Sequence, residues 1–344
     1  MMKKILILCL AVIVPFIFAP ACSPKLNHLE KSANFDGERF KNLTPPDSKK
    51  TFSKFLKWRF QTEREEWPEW VEIKQNKVKY QRIEQGVNVT FINHATILLQ
   101  IDGVNILTDP VYSDRTSPFS FLGPKRVKLP GVKFKDLPKI DVILISHNHY
   151  DAFDKKTLER LILRDNPKIV FGIGNSYYLD KENRKNAIEM NWGDKLQFQN
   201  LLFTFLPNQH WSKRNLFDDN RSLWGSFAIE GSKKIYFAGD TGYSDHFKNI
   251  QKEFDYFDLS LIPIGAYEPR WFMKYYHMNP KEAVKAHLDL KSKKSIGMHF
   301  GTFQLTNEAI DDPIKDLKKA RDEYDINKDS FFTLKEGDNY FIFD

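Results

Sequence analysis

The sequence reads as an α/β fold in which β-sheets are covered by helices. Three features lead there. Short β-branched and aromatic runs outnumber the helical patterns, they fall into two similar halves, and the first of them are joined by tight turns. Of 344 residues, 41% are apolar and 14% aromatic against 28% charged, a composition that excludes a disordered, collagen-like or low-complexity chain.

Taken in chain order, runs at 87–92, 96–101 and 104–108 form an antiparallel meander, with Asp102-Gly103 as one of its turns. Further strands are expected at 141–146, 168–172, 202–206, 225–230, 234–238, 258–263, 295–298, 331–334 and 339–343. Helical patterns lie at 155–164, 245–254, 280–290 and 313–324. The third is the best signalled: Asn279 can cap it, Pro280 suits its first turn, and Glu282 completes a capping-box pattern. Residues 51–85, with Trp58, Trp67 and Trp70, read as a lead-in packed on a main domain of residues 86–344.

The N-terminus has the form of an export signal over residues 1–21. Met1 to Lys4 are cationic, and the apolar run from Ile5 to Ala19 is shorter than the roughly 20 residues that span a bilayer. Ala19-Pro20-Ala21 suits ordinary cleavage, whereas small residues directly before Cys22 resemble a bacterial lipobox. Lipidation of Cys22 is the preferred reading, because the two cysteines are Cys9 and Cys22 and an exported domain otherwise free of cysteine has little use for a lone thiol. Residues 22–50 then read as a tether, with His28 solvated, and the protein as a membrane-anchored lipoprotein of the cell envelope; a soluble periplasmic or secreted form is the alternative.

The formal charge of +7 falls by two when Lys3 and Lys4 leave with the signal. Nucleic acid needs several phosphates neutralised along one surface. The best basic tract, Lys125, Arg126, Lys128, Lys133 and Lys135, is broken by Pro130-Gly131 and reads as a solvated loop, with contact to anionic headgroups as its second reading. No nucleic-acid partner is expected.

The chemistry lies at strand ends. The buried run 141–146 terminates in His147-Asn148-His149-Tyr150-Asp151, and alternate residues of an extended segment project to one side. Three other apolar runs lead to His210, to Gly239-Asp240-Thr241-Gly242, and to His299-Phe300-Gly301-Thr302. With no thiolates in the mature domain, any metal must be held by His and Asp. Singly, His210 and His299 could be structural and Gly-Asp-Thr-Gly a turn. His94, His246 and His287 read as structural, the last lying within a helix.

This order of motifs resembles the metallo-β-lactamase superfamily. His94-Ala-Thr, Leu107-Thr-Asp-Pro110, Gly123-Pro-Lys-Arg126, Ile145 to Asp151, Gln209-His-Trp211, Leu223-Trp-Gly-Ser226, Phe237 to Tyr243, Ile262 to Tyr275 and His299 to Phe303 are similar to the N-acylphosphatidylethanolamine-hydrolysing phospholipase D family. The resemblance implies an αββα sandwich of two mixed sheets packed face to face with helices outside. It further implies a first zinc on His147, His149 and His210, a second on Asp151 and His299, and Asp240 bridging them. The family's motif continues with a second His where this chain has Ala152, so a weakened second site is expected; Asp154 reads as a helix cap and not as a replacement.

The implied reaction is attack on the phosphorus of a phospholipid diester by a hydroxide shared between the ions, giving phosphatidic acid and an N-acylethanolamine. Asp151 and Asp240 are then catalytic as well as ligands. His277 is a candidate to bind the phosphate or protonate the leaving oxygen, and Tyr150 to line the same cleft. A lactonase or soluble phosphoesterase of the same fold, and a lipid-binding lipoprotein made inactive by Ala152, are the alternatives.

Overall fold

A computed structural model describes residues 23–46 and 51–342 of the chain. The expected export signal and Cys22 lie outside the described residues.

Among the described residues, fourteen strands form two seven-stranded sheets. The first has the spatial order β14 (Asn339–Ile342), β1 (Val87–Asn93), β2 (Thr96–Ile101), β3 (Val104–Thr108), β4 (Val142–Leu144), β5 (Lys168–Gly172) and β6 (Ala187–Met190). The second runs β13 (Phe331–Thr333), β12 (Ser292–Met298), β11 (Phe257–Pro263), β10 (Lys234–Phe237), β9 (Ser226–Glu230), β8 (Leu201–Leu206) and β7 (Lys195–Phe198). The inner faces meet in a core that includes Val89, Phe91, Leu99, Phe205, Phe227 and Phe237. Helix α1 (Phe52–Gln61) belongs to the lead-in, and α2 (Lys155–Asp165) covers the outer face of the first sheet through Leu158 and Leu161. Helices α3 (His246–Phe254), α5 (Pro280–Asp289) and α6 (Asp312–Glu323) follow strands of the second half, and α4 (Arg270–Met273) is a single turn. This is the expected sandwich of two mixed sheets with helices.

The elements form where local chemistry favours them. Asp154 caps α2, and the capping box of α5 is present, with Asn279 Oδ1 accepting from Glu282 N–H and Glu282 Oε2 accepting from Asn279 N–H. Two strands escaped the sequence reading, β6 and β7. Both are four-residue edge strands, partly exposed, and their single half-buried faces leave no continuous apolar run to detect.

Topology delivers residues to one rim. β3 and β4 are parallel, and in the second sheet β10, β11 and β12 are parallel, with β8 running the same way because both β8 and β10 are antiparallel to β9. The chain therefore leaves β8, β10 and β12 at the same edge. The two sheets nearly touch there: Gly239 has φ +59°, and a Cβ at that position would lie 2.4 Å from Ser146 Cβ.

Two expectations need correction. The segment after Cys22 is not a solvated tether throughout, because Leu26, Phe35 and Phe40 are buried in the main core and Asn42 bonds to the backbone of His210, although His28 is exposed as expected. The basic tract is not uniformly solvated either. Arg126 is buried, donating to the carbonyls of Val111 and Ser113, and Lys128 pairs with Glu336 at 2.8 Å. Burial lowers the Arg126 guanidinium to about 10. Among the described residues, no helix is long and apolar enough to cross a membrane.

Candidate metal centre

β4 ends at Leu144, and the chain then turns through His147 to Phe153, closed by bonds from Ala152 and Phe153 N–H to the His149 carbonyl. His147 is oriented from behind. Its Nδ1 lies 2.8 Å from Ser146 Oγ, which donates to Asp109 Oδ2 at 2.6 Å, while Asp109 Oδ1 accepts from Ser146 N–H at 2.8 Å. Asp109 is fully buried, and burial pushes its carboxyl well above the usual carboxylate range despite those bonds. Nε2 of His147 is left without a hydrogen-bond partner inside the protein and faces Asp240 Oδ2 at 3.7 Å.

His210, beyond β8, is fixed on both sides. Its Nδ1 is 3.0 Å from the Tyr276 carbonyl, and its backbone exchanges two hydrogen bonds with the Asn42 side chain. Its Nε2 lies 3.1 Å from His149 Nδ1. Ligand atoms of His147, His149 and His210 all lie within 4.8 Å of one another. Burial, and then the neighbouring His147, hold His149 and His210 well below the usual imidazole value, so both are neutral bases, the form that binds a metal.

The other half of the cluster carries the carboxylates. His299 Nε2 lies 3.0 Å from Asp240 Oδ2 and 3.3 Å from Asp151 Oδ2. Burial opposes a charge on His299, but Asp240 and Asp151 more than offset it and push the imidazole up to about 10. Asp240 Oδ1 has no hydrogen-bond partner. Buried nitrogens and a carboxylate oxygen left unpaired around one point are costly in a closed protein and are the donor set a divalent cation satisfies.

The cluster floors a cleft of about 900 Å³ whose walls include Phe55, Trp58, Trp211, Leu216, Phe272 and Met273. His277 also lines it, with its ring centroid 5.2 Å from that of His210.

A profile of the beta-lactamase superfamily domain matches residues 104–300. The N-acyl-phosphatidylethanolamine-hydrolyzing phospholipase D 1 of Caenorhabditis elegans is 40% identical over 270 residues, covering 74% of this chain and 76% of that protein. The chain belongs to the N-acylphosphatidylethanolamine-hydrolysing phospholipase D family of the metallo-β-lactamase superfamily. A second relative, the mitochondrial N-acyl-phosphatidylethanolamine-hydrolyzing phospholipase D of Saccharomyces cerevisiae, is 37% identical over 225 residues, which cover 63% of this chain and 48% of that protein. The isothiocyanate hydrolase from Delia radicum gut bacteria superposes with a TM-score of 0.60 at 17% identity, covering 74% of this chain and 98% of its own, a likeness of fold. This phospholipase D relative is thus a metallo-β-lactamase-fold hydrolase with a His/Asp metal-binding cluster.

The structure of this metallohydrolase gathers His147, His149, Asp151, His210, Asp240 and His299, as the sequence led one to expect, and brings His277 to the same cleft. Tyr150 is placed otherwise. Its hydroxyl donates to the Arg214 carbonyl at 2.9 Å, and its ring packs under the Arg214 guanidinium, lining a separate surface pocket with Tyr112 and Phe153. Asp154 is committed to capping, accepting from Thr157, Tyr112 and Ser113, so it is no ligand. His94, expected to be structural, stands at the site itself: its Nε2 lies 3.2 Å from Asp151 Oδ2, and its ring centroid is 3.9 Å from that of His299. His246 and His287 stay remote, paired with Ser244 and Ser295. Asp109 was missed as a positioning residue, although its place in Leu107-Thr-Asp-Pro110 after a buried strand was a signal.

Proposed function

We propose that this hydrolase is a zinc-dependent phospholipase D that cleaves an N-acylphosphatidylethanolamine-type phospholipid to phosphatidic acid and an N-acylethanolamine. The observation that carries the reading is the joining of a His/Asp cluster to a cleft of about 900 Å³ walled by Phe55, Trp58, Trp211, Leu216, Phe272 and Met273, which suits acyl chains where a soluble diester would gain nothing. The activity named for the Caenorhabditis elegans and yeast relatives supports it.

His147, His149 and His210 would hold one ion, Asp151 and His299 the other, with Asp240 between them; imidazole and carboxylate donors suit zinc. Bound there, the ions supply an acidified water and a positive charge for the phosphoryl oxygens. Ser146 and Asp109 hold the His147 ring in place, and the Tyr276 carbonyl does the same for His210. His277, at the cleft wall, would donate to the phosphate or return a proton to the departing oxygen. Acylation of Cys22 would confine the enzyme to a membrane surface where its substrate lies.

The test is turnover of N-acylphosphatidylethanolamine beside a soluble phosphodiester, with and without chelator. Chelator-sensitive release of N-acylethanolamine is expected; turnover of the soluble diester alone would transfer the assignment to a phosphoesterase, and no turnover of either with metal restored would favour a lipid-binding protein.

A further inference from the structure

We infer that His94 is a ligand of the second metal ion, supplying from the β1–β2 turn the imidazole that Ala152 lacks. The inference rests on the metallohydrolase reading of the cluster, but not on its substrate.

Ala152 is buried, and its methyl group offers no donor beside Asp151. The position is nonetheless not short of nitrogen. His94 Nε2 and His299 Nε2 approach the same oxygen, Asp151 Oδ2, at 3.2 and 3.3 Å, and His299 Nε2 is 3.0 Å from Asp240 Oδ2. Ligands about 2.0–2.1 Å from a tetrahedral zinc are separated from one another by about 3.3 Å. The contacts of His94 and His299 with Asp151, and of His299 with Asp240, thus already stand at nearly that spacing. Ligand atoms of His94, Asp151 and His299 form a group within 4.8 Å, separate from that of His147, His149 and His210.

The backbone is built to hold this arrangement. His94 and His299 both adopt left-handed conformations, with φ +48° and +61°, which a side chain other than Gly takes at a cost. They are locked together there: the His299 N–H donates to the His94 carbonyl at 2.8 Å, and the His94 N–H donates to Thr302 Oγ1 at 3.1 Å. Phe303 stands edge-on to the His94 ring at 5.4 Å. Topology explains how so distant a residue arrives. β1 runs antiparallel to β2, β2 antiparallel to β3, and β3 parallel to β4, so the end of β1 lies at the same rim as the end of β4 that bears His147 to Asp151.

The test is metal binding by the full chain, read without reference to turnover. Metal-free protein is titrated with zinc in competition with a chromophoric chelator, as the unsubstituted chain and as His94→Asn. Asparagine tolerates the left-handed backbone, and its short side chain ends where Nδ1 stands, short of Nε2. Two equivalents are expected for the unsubstituted chain. In the variant the first equivalent should bind unchanged and the second at least about tenfold more weakly. A second equivalent held as tightly by the variant, or a single equivalent in the unsubstituted chain, would overturn the inference. Anomalous scattering at the zinc edge from crystals of the unsubstituted protein gives a readout independent of the variant's folding. A peak within about 2.0–2.2 Å of His94 Nε2 supports the assignment, and one that is bound by Asp151 and His299 with His94 out of reach ends it. Failure of the lipid assay would leave both readouts intact.

Discussion

Asp109, Ser146 and His147 form a chain in which a fully buried carboxyl fixes a hydroxyl, and the hydroxyl fixes an imidazole. Replacing Asp109 with Asn puts an amide against Ser146 Oγ and takes away the acceptor that orients it. Metal affinity of the first site is expected to fall about 10- to 100-fold with the fold intact, measured by competition with a chelator alongside circular dichroism. His149→Ala removes a donor outright. It should leave less than about one-hundredth of the hydrolytic rate and lower zinc content by about one equivalent in elemental analysis. Six of the metal-facing residues were legible because each lies in the short stretch that follows an apolar strand. His94 was not, since its neighbours Asn93 and Ala95 belong to a hairpin that is unremarkable by itself. Its place at the site emerges only when β1 is known to end at the same rim as β4.

Strand ends, more than strands, position the cluster, and helices set the context in which other histidines stay out of it. His287 of α5 is buried against Phe331 with Nδ1 2.8 Å from Ser295 Oγ. Burial lowers its imidazole to about 4. The unfolded chain binds a proton near pH 6.5 and the folded chain only near 4, so acidification favours the unfolded state and stability falls as pH drops through that window. The contribution reaches about 3 kcal/mol at full protonation. Thermal melts from pH 7 to 4 should show a shallower decline for His287→Gln than for the unsubstituted chain; parallel curves would contradict the assignment. At this scale the meander and the α5 cap were readable from turn residues and capping patterns. β6, β7 and α4 were not, because short edge strands and one-turn helices carry too few residues to display a period.

Across the whole molecule, the segment from Ser23 to Pro46 joins the main domain to its site. The Asn42 side chain bonds both backbone groups of His210 and accepts from Trp224 Nε1 at 3.0 Å. Asn42→Ala should cost about 1–3 kcal/mol in denaturant unfolding, because a buried indole N–H and a loop backbone lose their partner. It should also weaken the first metal site more than the second. In the sequence this stretch reads as a tether because its prolines and polar residues hide three widely spaced apolar side chains, Leu26, Phe35 and Phe40, that only a completed sandwich can bury.

That packing bears on how the enzyme would sit on a lipid surface. Leu26 is four residues from Cys22, and four extended residues reach at most about 14 Å. An acyl group on Cys22 would therefore give the catalytic body almost no leash: instead of roaming above the bilayer, it would be moored against the lipid with one side always turned toward it.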